Sequence, residues 1–188
     1  MAWVEQVARQ VRIVKFTETP LPGAFIIDLE PHQDERGFFA RTFCVREFWE
    51  HGLNSTVAQC NLSSNLKAGT LRGMHFQQPP LSEAKLVRCI RGAIHDVVVD
   101  LRPQSATYRR QFAVELNTVN RRALFVPALF AHGFQTLMDN TEVEYQMSEA
   151  YVPEGARGFR YDDTSFAIRW PLPVSVISEQ DLSWPPFS

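Results

Sequence analysis

Apolar residues in this chain fall into short segments broken by Gly, Pro, Asn and Asp, not into long periodic stretches. GAFIIDLEP (23–31), KLVRCIRG (85–92), AIHDVVVDLRP (93–103), RRQFAVELN (109–117), RALFVPALF (122–130), HGFQTLMDN (132–140) and EVEYQMSEAYVP (142–153) each read as a strand closed by a turn. Their Val, Phe and Ile content suits a pleated, half-buried surface. CVREFWEHGL (44–53) is the best helix candidate, with Val45, Phe48, Trp49 and Leu53 on one apolar face and a Gly near its end. Many short strands with little helix predict an all-β sandwich, jelly roll or small barrel.

Strand alternation then sorts the polar residues. In KLVRCIRG, Lys85 shares a face with Val87 and Cys89; in IHDVVVDL, Asp96 and Asp100 share a face with Ile94 and Val98. Lys is rarely buried without a partner, so charged residues on an apolar face suggest a lined cavity. A two-sided strand with one solvated face fits the same pattern.

Composition narrows the classes. Hydrophobic residues make up 45% of 188, including 14 Phe, which is ample for one globular domain and excludes disorder. Nineteen Lys and Arg against 21 Asp and Glu give a net charge of −2, without a general electrostatic grip on nucleic acid. No apolar run reaches membrane-spanning length, and the N-terminus lacks the pattern of a signal peptide, so no membrane partner is expected. Three scattered cysteines (Cys44, Cys60, Cys89) form no CxxC pair and read as reduced thiols of a cytoplasmic protein.

Candidate chemistry gathers in four stretches: TLRGMHFQ with Arg72 and His75, EAKLVR with Lys85, ALFAHGF with His132, and EVEYQMSEAY with Tyr145 and Tyr151. His132, between Ala131 and Gly133, fits a core histidine. His75 fits that description less well, because Gly73 permits close backbone approach and Arg72 suits a phosphate. A metal site of the cupin type, using His75 and His132 with Gln77 or Glu83, is the competing reading and would make the protein a metal-dependent oxygenase. Such sites usually pair two His one residue apart, and here Gln77 holds the partner position. No GxSxG turn, glycine-rich phosphate loop or dinucleotide fingerprint is present.

Taken in order, DERGFF (34–39), QCNLSSN (59–65), GTLRGMHFQ (69–77), KLVRC (85–89), DVVVDLRPQSAT (96–107), VPALFAHGFQTL (126–137), EYQMSEAYVP (144–153), IRWP (168–171) and SEQD (178–181) resemble the dTDP-4-dehydrorhamnose 3,5-epimerase (RmlC-like) family. The resemblance implies one jelly-roll, cupin-like double-sheet domain over 1–188 with a few short helices. It also implies a homodimer with its N-terminal segment exchanged, and no metal or organic cofactor. The implied reaction is epimerisation at C3 and/or C5 of a nucleoside-diphosphate 4-keto-6-deoxyhexose in deoxysugar and cell-surface polysaccharide biosynthesis. Relatives that invert one carbon only belong to the same resemblance.

Carried over by motif, His75 resembles the catalytic base, Asp181 its partner, Lys85 the group beside the ketone oxygen and Tyr145 the acid on the opposite face. Arg72 and His132 resemble residues of the substrate pocket; Gln59, Asn61 and Tyr151 match the nucleotide end. Arg36 and Phe39 resemble residues that reach the neighbouring subunit's site. Three positions depart from the family pattern, Arg41, Ala156 and Gln180, all expected at the nucleotide end. They raise the hypothesis of a nucleotide other than dTDP, or a modified sugar.

Overall fold

The computed structural model describes residues 14–187. Strands β1 (Val14–Glu18), β2 (Phe25–Leu29), β10 (Ala123–Val126), β7 (Lys85–Arg91), β12 (Thr141–Met147) and β5 (Gln59–Asn65) hydrogen-bond in that order into one sheet. A second sheet runs β13 (Ala156–Gly158), β6 (Leu71–Gln77), β11 (Phe130–Thr136), β8 (Ala93–Asp100) and β9 (Gln111–Asn117). Strands β3 (His32–Asp34) and β4 (Gly37–Phe39) form a separate exposed hairpin, and two short α-helices, α1 (Val45–Glu50) and α2 (Glu179–Ser183), with a 3-10 turn at Pro153–Gly155, complete the described set. Every strand pairing is antiparallel, and the two sheets pack face to face as a cupin-like jelly roll. The N-terminal exchange expected from the sequence falls partly on residues 1–13, outside the described residues.

Three apolar layers hold the sandwich. Between the sheets, Val87, Cys89, Leu124 and Val143 meet Ile94, Val98, Leu116, Phe130 and Phe134. Outside the five-stranded sheet, Met74, Val97, Val99 and Ala131 are covered by Phe159, Phe166 and Phe187 of the C-terminal segment. Outside the six-stranded sheet, Ile27, Leu86 and Phe125 are covered by Phe48 and Leu53. β8 is therefore buried on both faces, which is why DVVVDL reads as a continuous apolar run.

The helix face differs from the expectation. Phe48 and Leu53 are buried, whereas Val45 and Trp49 are exposed, Trp49 by 73%. The helix is only six residues long and meets the sheet through Phe48; Trp49, about 100° further round, points away. Six strands, β1, β3, β4, β5, β6 and β13, fall outside the segments the apolar pattern predicted, and two of them build the site. β5 carries Asn61, Ser63 and Asn65, and β6 loses its alternation at a bulge described below.

Asp100, on the inner face of β8, ties down the loop that follows. Its Oδ1 accepts from the Arg102 backbone N–H (3.0 Å) and Nε (2.8 Å), and its Oδ2 from Ser105 Oγ (2.6 Å) and Thr107 Oγ1 (2.7 Å). Burial alone would push this carboxyl up; the hydrogen bonds from Arg102, Ser105 and Thr107 outweigh it and hold the group at about 2.

Two measurements check these assignments. Phe48→Ala is expected to cost about 3–5 kcal/mol in urea unfolding, and Trp49→Ala no more than about 0.5 kcal/mol. A depressed carboxylate stabilises above its ordinary 3.8 and loses that contribution as pH falls toward about 2. Asp100→Asn should be less stable at neutral pH and lose less stability than the parent across that acid window. Identical acid limbs would contradict the assignment.

Candidate active site

A cavity of about 380 Å³ opens between the two sheets at one end of the sandwich. His75 and Arg72 reach it from β6 and His132 from β11; Lys85 reaches it from β7, Tyr145 from β12 and Asn61 from β5. Asp181 enters from α2, and Phe134 and Met147 supply apolar wall. The facing sheets thus present different chemistry to one volume.

Backbone geometry at Gly73 explains how Arg72 and His75 share that volume. Residues three apart on a regular strand point to opposite faces. Here Arg72 pairs with Phe134 and His75 with His132, so three steps on β6 match two on β11. The extra residue is a bulge, and Gly73 takes it at φ 122. Met74, just beyond, turns into the outer core. The strands also come very close: a Cβ on Gly73 would sit 2.6 Å from the Cα of Gly133.

Each of the paired histidines has its own carboxylate. His75 Nε2 lies 2.6 Å from Asp181 Oδ1, and His132 Nε2 lies 2.6 Å from Asp96 Oδ1. Burial would push the Asp181 carboxyl up, but the His75 hydrogen bond and charge, the Gly73 N–H and the Ser178 hydroxyl together bring it below the usual value. It is therefore an acceptor, so His75 Nε2–H donates and the neutral ring keeps its lone pair on Nδ1. α2 holds Asp181 in place: Ser178 caps it by accepting from the Asp181 N–H at 3.1 Å, and Asp181 Oδ2 accepts from the Gly73 N–H at 3.2 Å. The S-x-x-D spacing of SEQD is a capping signal readable in the sequence.

On the other wall, Tyr145 sits opposite Asn61 and Val87, with Lys85 two positions along β7 from Val87. Burial raises the Tyr145 phenol above its ordinary value, against the pull of Ser63 and the Arg72 charge, so it remains a donor at neutral pH. Arg72 is aimed by Asn65, whose Oδ1 accepts from Arg72 Nε at 2.7 Å and whose amide donates to the Thr141 carbonyl at 3.2 Å.

A second cavity of about 230 Å³ adjoins the first, sharing His75, Lys85 and Gln180 and adding Tyr151, Ala156, Arg157 and Trp184. Gln59 lines neither; its Oε1 accepts from the Tyr151 backbone N–H at 2.8 Å and its amide donates to Asn61 at 3.3 Å, so it braces both residues. Arg36 and Phe39 are not brought to either cavity by their own chain. Both lie on the β3–β4 hairpin, where Arg36 pairs with Asp34 and Phe39 is 74% exposed. Of the three departures, Ala156 and Gln180 border the second cavity, whereas Arg41 pairs with Glu47 at 2.7 Å and borders neither. The sequence did not single out Asp96 or Asn65 as site residues, and named Glu83 only as a ligand of the competing metal site. For Asp96 the inward alternation of β8 was the available signal.

The metal alternative lacks its ligands. Gln77 donates to the Leu81 and Ala150 carbonyls and accepts from the Val152 N–H, while Glu83 pairs with Lys85. Among the described residues no group of three His, Cys, Asp or Glu side chains is placed to hold a metal ion.

Comparison with known proteins gives a consistent result. The family model described as dTDP-4-dehydrorhamnose 3,5-epimerase matches residues 18–188. A protein of that name from Methanothermobacter thermautotrophicus is 45% identical over 175 residues, 92% of this chain and 94% of the relative. The crystal structure of dTDP-4-dehydrorhamnose 3,5-epimerase from Elizabethkingia anophelis superposes with a TM-score of 0.90 at 35% identity, covering 94% of this chain and 97% of that one. The Bacillus anthracis enzyme, solved with TDP and PPi bound, gives 0.89 at 36% identity, covering 93% and 99%.

The bulge supplies a direct test. Gly73→Ala places a side chain at a left-handed φ and against the β11 backbone, and should cost about 3 kcal/mol or more. An unchanged urea midpoint would refute the close approach.

Proposed function

The chain belongs to the dTDP-4-dehydrorhamnose 3,5-epimerase family, a family of isomerases, and from that premise we propose how its cavity inverts a dTDP-linked 4-keto-6-deoxyhexose. The ketone at C4 acidifies the protons on C3 and C5, so inversion proceeds by proton removal and return without a redox step. His75 Nδ1 takes a proton from one face, and the electron pair moves onto the C4 oxygen as an enolate. Histidine suits this because its ordinary pKa of about 6.5 lies near working pH. Asp181 fixes the ring and supports the imidazolium as it forms. Lys85 stabilises the developing charge on oxygen, a contribution of about 3 kcal/mol for one preorganised donor. Tyr145 then gives its phenolic proton to carbon from the other face. The nearby Arg72 charge eases the phenolate that results, and solvent resets both groups.

The observation that carries this reading is the division of the cavity. The His75–Asp181 pair, at 2.6 Å, stands on the side of the five-stranded sheet, while Lys85 and Tyr145 stand on the six-stranded one. Acid and base on facing sheets suit a reaction that enters one face of a carbon and leaves by the other. Arg72, held by Asn65, suits the diphosphate as a planar, permanent charge. Asn61 in the first cavity and Tyr151 in the second, both braced by Gln59, are assigned with it to the nucleotide, with His132, braced by Asp96, in the sugar pocket. The exposed Phe39 and Arg36 on the β3–β4 hairpin support a homodimer in which each hairpin reaches the neighbouring cavity. Free Cys44, Cys60 and Cys89 favour the reducing cytoplasm. Within the described residues no helix is long and apolar enough to cross a membrane.

Proton NMR in D₂O with dTDP-4-keto-6-deoxyglucose tests the assignment. Deuterium should enter C3 and C5, and His75→Ala should lower that exchange by a factor of about 10³ or more. Undiminished exchange in His75→Ala would remove His75 as the base.

A further inference from the structure

Lys85 is not alone at the cavity wall. Its Nζ lies 3.1 Å from Glu83 Oε1, and the two side chains are only 9% and 3% exposed. Its direct strand neighbours, Val126 on β10 and Met147 on β12, are apolar and offer the ammonium nothing. Among the described residues Glu83 is the one carboxylate paired with it. The other oxygen, Glu83 Oε2, is buried and has no hydrogen-bond partner.

That arrangement is a poor device for stability. Desolvating two charges offsets most of their attraction, and a buried acceptor left unpaired adds a further penalty. Its location gives it another use. Lys85 lines both cavities and Glu83 lines the second, so the pair stands where they meet. An ammonium has three donors on a flexible stem, so a buried partner that holds one of them also limits where the others can point.

We propose that Glu83 is a positioning residue for the epimerisation: its carboxylate pairs with Lys85 Nζ, fixes where the end of that side chain lies, and leaves its other donors turned toward the ketone oxygen of the sugar. The proposal rests on the role given to Lys85 above. Glu83 itself does not touch the reacting atoms. Its work is to remove the freedom of the lysine stem before the enolate forms, so that no reorganisation is needed as charge develops.

A double-mutant cycle reads this directly, with kcat and KM measured for the parent, Glu83→Gln, Lys85→Gln and the double variant. Glu83→Gln should lower kcat by about 10²-fold while KM stays within about threefold. Lys85→Gln should lose at least as much, and the double variant should be no slower than Lys85→Gln, because Glu83 acts only through the lysine. Glu83→Asp, which keeps the charge but draws it back, should recover part of the loss. The urea midpoint of each variant checks that it is folded; if Glu83→Gln does not fold, the Glu83→Asp kcat on the Lys85 and Lys85→Gln backgrounds gives the same comparison. Losses that multiply in the double variant, or a Glu83→Gln enzyme at parental kcat beside a crippled Lys85→Gln, would overturn the proposal and leave the epimerase assignment standing. A parental kcat in Lys85→Gln would instead overturn the role of Lys85, and this inference with it.

Discussion

Everything at this site depends on how closely β6 approaches β11 at Gly73 and Gly133. Neither position has room for a Cβ, since each would lie under 3 Å from backbone of the other strand. The approach lets one extra residue fold into β6, and that residue turns Arg72 and His75 onto the same face. It also points the Gly73 N–H at Asp181, so the bulge that aims the histidine also holds its carboxylate. A regular strand here would send Arg72 and His75 to opposite sides of the sheet and split the site in two.

The electrostatics follow from that geometry. The two carboxylates paired with the cavity's histidines, Asp96 and Asp181, stand on the five-stranded side, whereas Glu83, leading into the six-stranded sheet, has a lysine. One wall therefore offers imidazoles oriented by carboxylates; the other offers a lysine held by Glu83 and a phenol whose burial keeps it protonated. Opposed roles sit on separate sheets that pack face to face, so the stiffness of the inter-sheet core sets the gap a sugar ring must fit.

Legibility in the sequence followed the same physics. β7, β8 and β11 announced themselves because they are apolar on at least one face, and alternation in β7 and β8 already placed Lys85, Asp96 and Asp100 inward. β5 and β6 did not, since the polar residues that line the cavity displaced the apolar ones that would mark a strand. Helix α1 was found but turned wrongly: a six-residue element has too few turns to define a face, and Phe48 alone decides how it lies. The motif resemblance named His75 with Asp181 as its partner, but gave no partner for His132, Lys85 or Arg72. Asp96 and Glu83 needed three dimensions, because the first pairs across strands and the second sits just before β7 begins.

The Asp181 carboxylate reaches His75 across 106 positions of chain, carried on a five-residue helix that belongs to neither sheet. During vectorial synthesis every strand that builds the cavity leaves the ribosome before Asp181 does. A nascent chain can thus shape both sheets while its histidine still lacks an orienting partner. The His75–Asp181 pair can therefore close only once α2 has been made and docked beside β6, after every strand of both sheets has been synthesised.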